Sequence, residues 1–343
     1  MKIILDVMSG DKAPHELIKG AVLAVKELGV DLIITGDKDI IELTAAENNI
    51  ELDDPHMEIV HTSEVITMDD SPLSVRSKKD SSMSVGLKML ADGLGDAFVS
   101  AGNTGALYAG ASLIVYRIKG VRKAAIAAVL PFEKPTLLID SGANTVVTDE
   151  NLEQFAVMGS IYMKKIFGLE SPAVGLLNNG TEKTKGTQLL QEAYVRLSET
   201  QGINFIGNVE SKELPNGVCD VIVTDGLTGN VVLKLTEGLG SFLFKKIKGI
   251  FVKNPITKLS AAIIKKEFVN FKAAFDASEY GGAPLLGISK PVIKAHGNSD
   301  AVAIKNAVRQ ARNFINTGII YDVADYTLHT LKGTETDEKT DER

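Results

Sequence analysis

Two small polar residues stand between glycines at the end of an apolar segment, in the stretch SAGNTGALYAG. Gly102 and Gly105 let the backbone come close to a ligand, because glycine carries no side chain. Asn103 and Thr104 can donate hydrogen bonds, and the helix-like run that follows begins with unpaired N–H groups and a partial positive charge. This combination favours an anion site, and phosphate is the anion it suits best.

Similar loops follow several other strand-like segments. They are rich in Gly, Asn, Thr, Ser or Asp and read MSGDKAP, SGANT, NNGTEKTKG, DGLTGN and HGNSD. One such loop alone is more often a helix cap or a turn. Six of them at the carboxyl ends of strands predict a polar crevice for a small molecule. The sequence contains neither GxxxxGK[ST] nor GxGxxG after a strand, so it predicts no P-loop and no dinucleotide site.

The stretch VRSKKDSSM adds basic residues and hydroxyls. It places Arg76, Lys78 and Lys79 beside Ser81 and Ser82. Guanidinium, ammonium and hydroxyl donors together suit an anion clamp. The same pattern is equally typical of a solvated helix start, and both interpretations stay open.

One lysine and one histidine stand in positions suited to catalysis. Lys185 comes just before Gly186 and a helix-like run, where an ammonium group can meet a phosphate or a carbonyl oxygen, although spacing does not exclude Lys183. Of the five histidines, His296 in AHGNSD is the functional candidate. The histidines form no metal pattern, so we predict no metal site. No Gly-x-Ser-x-Gly elbow supports an acyl-serine mechanism.

Composition limits the class of protein. The chain has 343 residues, 44% of them apolar and 24% charged, and a net charge of -7, which is typical of a globular protein and not of a nucleic-acid binder. The single Cys219 excludes an internal disulfide and fits a reducing compartment. The N-terminus does not resemble a signal peptide and no apolar run is long enough to span a membrane. We therefore expect a cytoplasmic protein whose membrane contact, if any, is peripheral.

Short apolar runs alternate with longer amphipathic ones along the chain. Several runs are apolar at consecutive positions, which is typical of strands covered on both faces. The pattern predicts a doubly wound, mostly parallel α/β fold. The ten predicted strands are KIILDV, DLIITGD, MEIVHT, DAFVSAG, AAIAAVL, TLLIDSG, AVGLLNN, INFIGNV, DVIVTDG and PVIKAHG.

The segment from Gly238 to Ala277 lacks a strand signal and predicts a protruding helical hairpin that turns at Asn254–Pro255. Its apolar edge near the turn, Leu259 and Ile263, suits a membrane surface. Its basic residues suit an acidic partner or a membrane, and a dimer-forming hairpin is an equally good interpretation. The lysines concerned are Lys245, Lys246, Lys253, Lys258, Lys265 and Lys266. We expect one catalytic domain over residues 1–333 and a disordered polar tail over residues 334–343.

Across nearly its whole length the sequence resembles the bacterial phosphate acyltransferases, the acyl-carrier-protein:phosphate transacylases called PlsX. The motifs that carry the resemblance are DVMSGDKAP, VRSKKDSSM, SAGNTGAL, FAVMGSIY, VGLLNNGTEKTKG, FIGNVE, VTDGLTGN and YGGAPLLGISKPVIKAHGNSD. Two positions depart from the family pattern. Ser9 stands where the family usually has glycine, and Val146 stands where an aspartate is expected.

The resemblance implies a function and an assembly. It implies transfer of a long-chain fatty acyl group from acyl carrier protein to inorganic phosphate, giving acyl phosphate for phosphatidic acid and phospholipid synthesis. It also implies a three-layer α/β/α sandwich similar to phosphotransacetylase and isocitrate dehydrogenase. A homodimer, peripheral membrane association and coupling to a downstream membrane acyltransferase complete the expectation, with no cofactor.

This chemistry needs no strong acid–base pair, because phosphate is already an anion and the leaving thiol has a pKa of about 8.5. It needs two anions held in line and donors for the oxyanion on the thioester carbonyl. We assign carbonyl polarisation to Lys185 and Asn230, with Asp225 orienting one of them. Phosphate binding is assigned to Asn103, Thr104 and Gly105, helped by Ser81, Ser82 or His296.

Three rival functions stay open. The nearest is a phosphate transacylase of the same fold that uses acyl-coenzyme A. A dehydrogenase is disfavoured because no dinucleotide motif is visible. A non-catalytic scaffold that docks lipid synthesis to the membrane through the hairpin is disfavoured by the polar loops.

Overall fold

A computed structural model of the chain describes residues 1–264, 266–267 and 280–338. Its centre is a single eleven-stranded sheet. The strands are β1 (Lys2–Asp6), β2 (Asp31–Gly36), β3 (Met57–His61), β4 (Ala97–Ser100), β5 (Ala125–Pro131), β6 (Pro135–Ile139), β7 (Ala173–Asn178), β8 (Asn204–Glu210), β9 (Val221–Val223), β10 (Ala283–Leu286) and β11 (Val292–Lys294). All ten predicted strands are confirmed, and β10 is an addition.

The order across the sheet is β3-β2-β1-β4-β11-β10-β5-β6-β9-β7-β8. The first five strands in this order are mutually parallel, and so are the last four. The three junctions between them, β11 with β10, β10 with β5 and β5 with β6, are antiparallel. Three reversals make the two parallel groups run in opposite directions.

Helices cover both faces of the sheet, which confirms the predicted three-layer α/β/α sandwich. They are α1 (His15–Leu28), α2 (Lys38–Glu47), α3 (Ser74–Ser77), α4 (Ser82–Ala91), α5 (Thr104–Gly110), α6 (Asp149–Phe167), α7 (Gln188–Glu199), α8 (Gly226–Phe251), α9 (Pro255–Ile263), α10 (Ala301–Thr317) and α11 (Ile319–Glu338). The single domain over residues 1–333 stays a prediction.

Burial on both faces explains the consecutive apolar residues. In β1, Ile3 and Leu5 pack in a cluster with residues of α1 and α10, whereas Ile4 belongs to a second cluster with residues of α4 and α5. In β6, Leu137 packs in a cluster with residues of α6 and α7, whereas Leu138 lies in a cluster that α8 covers. Side chains alternate between faces along a strand, so both parities must be apolar here.

The hairpin differs from its predicted bounds. Its first helix, α8, begins at Gly226 and not at Gly238, because Asp225 caps it and accepts hydrogen bonds from the N–H groups of Leu227 and Thr228. The predicted turn is confirmed, and Asn254 forms a capping box with Thr257 that starts α9. Residues 268–277 of the predicted second helix lie outside the described residues.

The C-terminal tail also differs from the prediction. We expected disorder from Thr334, but α11 continues to Glu338. Extending an existing helix by one turn costs far less than nucleating a new one, so a polar sequence can continue it. Residues 339–343 lie outside the described residues.

Candidate active site

A row of polar side chains ends the first parallel group of strands. The pairing register places Thr35, Asp6, Ser100 and Lys294 side by side at the carboxyl ends of β2, β1, β4 and β11. All four are buried. Ser100 Oγ donates to Asp6 at 2.8 Å, and the backbone N–H of Met8 donates to the same carboxylate at 3.1 Å. Burial raises the pKa of Asp6, and neighbouring Ser82, Ser100 and Ser9 hydroxyls oppose that rise.

Asn103 caps α5 and braces a neighbouring loop. Its side-chain oxygen accepts from the N–H of Ala106 at 3.0 Å, while its Nδ2 donates to the carbonyls of Met68 and Asp70 at 2.9 Å each. The amide group predicted to hold phosphate is therefore engaged within the fold. In the part of the chain that the structure describes, the backbone N–H groups of Thr104 and Gly105 form no hydrogen bond. The backbone, more than the Asn103 side chain, is what this loop offers to an anion.

Gly105 is tightly enclosed. A Cβ at this position would lie 2.9 Å from Cγ of Pro72, closer than a normal contact. Glycine is therefore required here for the loop that contains Pro72 to pack closely against the start of α5.

Ser81 and Ser82 have different environments, and both are buried. Ser81 caps α4: its Oγ donates to the Lys78 carbonyl at 2.8 Å and accepts from the Ser84 N–H at 3.3 Å. Lys78 is itself paired with Asp70 at 2.7 Å. These contacts favour the helix-start interpretation of this stretch over the anion clamp. Ser82 Oγ, in contrast, caps no helix and lies near the Asp6 carboxylate, whose pKa it lowers.

The second parallel group of strands carries the lysine loop at its carboxyl ends. Lys185 follows β7 and is exposed, and its carbonyl accepts from Nδ2 of Asn178 at 3.2 Å. Gly186 adopts a φ of +86°, a left-handed conformation that favours glycine and lets the chain turn into α7. Among the described residues, the ammonium group of Lys185 forms no hydrogen bond or ion pair. The positive charge of Lys185 is therefore available to a ligand.

Asn230 lies in the second turn of α8, beside the loop that follows β6. Its side chain is half-buried, and its Cβ and Oδ1 would both be 3.7 Å from a Cβ placed on Gly142. The described structure gives its amide group no hydrogen-bond partner. One residue earlier, a Cβ on Gly229 would stand 1.9 Å from the Asp140 carbonyl, so this helix approaches the β6 loop as closely as glycine permits.

Asp140 organises that loop. Its carboxylate accepts from the N–H groups of Ile126, Gly142, Ala143 and Asn144 at 2.7–3.1 Å, and also from Nδ2 of Asn144 at 2.8 Å. Burial raises the pKa of Asp140, and these hydrogen bonds counteract it. Sequence reading missed this residue, although an aspartate that ends an apolar strand before Ser-Gly is a visible signal.

Asp225 and His296 both make contacts that involve α8. The Asp225 carboxylate also accepts from Thr228 Oγ1 at 2.6 Å, so it fixes the start of α8 and contacts neither Lys185 nor Asn230 by a hydrogen bond. The His296 ring is exposed, accepts from the N–H of Asn298 at 3.3 Å and lies 3.8 Å from the Glu237 carboxylate on α8.

The predicted residues form two clusters. The AGNTG loop, Ser82 and His296 lie at the carboxyl ends of the first strand group, whereas Lys185, Asn230 and Asp225 lie at those of the second. We expected all these loops at one edge of a single parallel layer, and the opposite strand directions contradict this. Bridging contacts join the clusters: Tyr108 on α5 donates to Asn144 Oδ1 at 2.8 Å, and Glu237 on α8 meets His296. We therefore take the region between α5 and α8, which these two contacts border, as the candidate active site.

Comparison with known proteins decides the family. A family model described as "Fatty acid synthesis protein" matches residues 1–322. A phosphate acyltransferase from Alkaliphilus oremlandii is 47% identical over 329 residues, which is 95% of this chain and 97% of the relative. The chain belongs to the phosphate acyltransferase family. A second member, from Clostridioides difficile, is 46% identical over 326 residues, covering 94% of this chain and 95% of that one.

The phosphate acyltransferase family membership makes this chain an acyltransferase. Solved structures of two phosphotransacetylases share the fold. The Staphylococcus aureus EutD enzyme has a TM-score of 0.58 at 17% identity and covers 92% of this chain and 94% of its own. The Streptococcus pyogenes enzyme has a TM-score of 0.58 at 18% identity, with coverages of 96% and 94%.

Within residues 1–264, 266–267 and 280–338, no group of three His, Cys, Asp or Glu side chains is arranged to hold a metal ion. Among the helices in that part of the chain, none combines the length and the apolar character needed to cross a bilayer.

Proposed function

We propose that this phosphate acyltransferase transfers a long-chain fatty acyl group from acyl carrier protein to inorganic phosphate. The product, an acyl phosphate, would feed phosphatidic acid and phospholipid synthesis. The observation that carries the proposal is the near-full-length likeness to relatives named phosphate acyltransferase, at 47% and 46% identity. The Lys185 ammonium group, exposed and unpaired among the described residues, supports it, because the fold supplies a cation at the carboxyl ends of the second strand group.

The reaction proceeds by direct attack. A phosphate oxygen bonds to the thioester carbonyl carbon, the C–S bond breaks, and the electron pair leaves with the carrier's sulfur as thiolate. Lys185 and Asn230 would stabilise the oxyanion on the carbonyl oxygen, while the backbone N–H groups of Thr104 and Gly105 would hold the phosphate. One well-placed oxyanion donor contributes about 3 kcal/mol to such a step.

The alternative donor is acyl-coenzyme A, since the chain shares its fold with phosphotransacetylases. Competition between the two thioesters at equal concentration tests the proposal. We expect acyl phosphate to form mainly from the acyl carrier protein. If the protein consumes acyl-coenzyme A in preference, the acyl-coenzyme A-dependent transacylase is the function. If it shows no phosphate-dependent turnover with either thioester, the non-catalytic membrane-docking scaffold is the function that is left.

The basic stretch of α8 is our candidate docking surface for the acidic carrier. Phe242, Ile250 and three lysines line a shallow groove of about 570 Å³, so an apolar floor has a basic rim. The lysines are Lys245, Lys246 and Lys253, and Nζ of Lys246 lies 5.5 Å from the Phe242 ring centroid. Of the other predicted docking residues, Lys266 is exposed, whereas the Lys258 side chain and all of Lys265 lie outside the described residues.

Charge reversal tests this docking surface. Because salt screens attraction between exposed charges, the KM for acyl carrier protein should rise roughly 3- to 10-fold from low to physiological salt. The Lys245→Glu, Lys246→Glu double variant should start with a high KM and lose most of this salt dependence. Lys19→Glu on α1 is the matched control, since it changes the net charge elsewhere. A carrier KM that ignores salt would exclude electrostatic docking.

The edge formed by Leu259 and Ile263 is our candidate membrane contact. Both side chains are strongly exposed on α9, four residues apart. We expect the Leu259→Glu, Ile263→Glu variant to lose flotation with anionic liposomes, because each change places a charge where an apolar group would enter the headgroup region. The Ile40→Glu, Leu43→Glu variant changes two exposed apolar residues of α2 and should float like the wild type. Equal flotation of all three proteins would exclude this edge.

A homodimer is the assembly we propose, in a cytoplasmic protein attached peripherally to the membrane. An exposed apolar stripe along α8 supports it. Its members recur every fourth residue and are each about half exposed or more: Leu227, Val231, Leu235, Leu239 and Leu243. Such a stripe is typical of a helix that packs on a partner. Sedimentation velocity measures the assembly directly, and a monomer at micromolar concentration would contradict it.

A further inference from the structure

Lys294 is a buried cation at the centre of the first cluster. It ends β11, is only 9% exposed, and stands in register with Ser100, whose hydroxyl bonds Asp6. Its ammonium group donates to the carbonyl of Ala101 at 3.1 Å and to that of Ala295. An ammonium group has three N–H donors. Among the described residues the third donor has no partner.

The surroundings of Lys294 contain two buried hydroxyl groups. Ser9 and Ser82 are each at most 2% exposed, and neither Oγ forms a hydrogen bond within the described residues. Both hydroxyls lie close enough to the carboxylate of Asp6 to lower its pKa, so this carboxylate is their nearest acceptor. A buried N–H donor without an acceptor is costly, so the third donor of Lys294 indicates a ligand that supplies one. Ammonium and hydroxyl donors together select an oxyanion.

The electrostatic cost of Lys294 leads to the same conclusion. Burial lowers its pKa to about 8, with Lys234 on α8 adding to the effect, while Asp11 and Asp6 oppose it. A cation that the fold desolvates contributes little to stability, and an apolar residue of similar volume is often tolerated in its place. A bound anion would offset the free-energy cost of burying the Lys294 charge.

We propose that the ammonium group of Lys294 binds the acceptor phosphate. The hydroxyls of Ser9 and Ser82, and the backbone N–H groups of Thr104 and Gly105 in the loop after β4, would be further donors to the same phosphate. The inference deepens the proposed function, because it assigns the phosphate to this buried cluster of the first strand group. Lys185 and Asn230 then serve the thioester from the second group. No proton or electron transfer at Lys294 is involved.

Phosphate binding without any acyl donor tests this assignment. By calorimetry with inorganic phosphate, Lys294→Met should bind roughly 10- to 100-fold more weakly than the wild type, as expected for loss of a charge-assisted hydrogen bond. Its Tm should stay equal or rise. Lys290→Met is the matched control, because Lys290, two residues before the start of β11, also donates to two carbonyls, those of Leu90 and Ala91. It should bind phosphate normally.

The pH dependence gives an independent readout. The ammonium group is charged below about pH 8, so wild-type phosphate affinity should fall as the pH rises through that value. Lys294→Arg keeps its charge above that pH and should flatten the fall. If Lys294→Met does not fold, this profile decides: affinity that is constant from pH 7 to pH 9 in the wild type overturns the proposal, and so does a parallel fall in Lys294→Arg.

Each failure has a distinct signature. Wild-type binding in a folded Lys294→Met variant overturns the Lys294 assignment and leaves acyl transfer untouched. Phosphate binding that depends on Lys294 in a protein that forms no acyl phosphate overturns the proposed function and keeps the anion site.

Discussion

Replacing Lys185 with methionine is expected to lower kcat for acyl phosphate formation by about 10²- to 10³-fold, as for loss of an oxyanion donor. The KM for phosphate and the Tm should change little. The physical reason is that this ammonium group is exposed and has no partner among the described residues, so the fold loses nothing when it is removed. Steady-state kinetics and a thermal melt of the same preparation measure both effects.

Lys183→Met is the matched control for Lys185. Lys183 lies two residues earlier in the same exposed loop, and its Nζ is 5.7 Å from the ring centroid of Tyr194. It should keep near wild-type kcat. If the two variants exchange behaviour, the catalytic cation is Lys183. If both retain full activity while folded, the loop after β7 takes no part in the chemistry.

Asn230→Ala is expected to lower kcat by about 10²-fold, again as loss of one carbonyl donor. Its amide group is half-buried beside Gly142, and the described structure leaves it without a hydrogen bond. Because the side chain supports no cap or strand, its loss should lower the Tm by only a few degrees at most. Rates measured with saturating phosphate and acyl carrier thioester report this step.

Asn216→Ala is the control for Asn230, since its side chain bonds only Glu213 on an exposed turn. It should leave kcat unchanged. The Asn230→Asp variant sharpens the result, because a carboxylate has the same size but repels the oxyanion. An Asn230→Asp enzyme with wild-type kcat would show that Asn230 does not face the carbonyl oxygen.

The sequence predicted the strands well because burial on both faces leaves runs such as KIILDV and TLLID without polar residues. It missed β10, in which Pro284 lacks a backbone N–H and glycines precede and follow the short strand. The two reversals at β10 cancel each other, so the opposite directions of the two strand groups come from the third reversal, the antiparallel pairing of β5 with β6, which the sequence analysis did not predict. The prediction of one shared edge was wrong for this reason.

The site was harder to predict than the fold. Asn103, Ser81 and Asp225 are helix caps, and a capping residue has the same composition and position as an anion ligand. Only coordinates show that their oxygens are already occupied. Lys294 was missed because a single lysine at the end of the apolar run PVIKA is typical of an exposed residue at the end of a strand. Its burial follows from the neighbours that β4 and β1 supply.

The most direct test of the whole account is one product analysis. The wild-type protein is mixed with long-chain acyl carrier protein and phosphate labelled with heavy oxygen, and the products are identified by mass. We predict an acyl phosphate that carries all the heavy oxygens of the phosphate, together with free carrier protein. Release of unlabelled fatty acid, or an intact thioester after long incubation, would contradict attack by phosphate at the candidate active site.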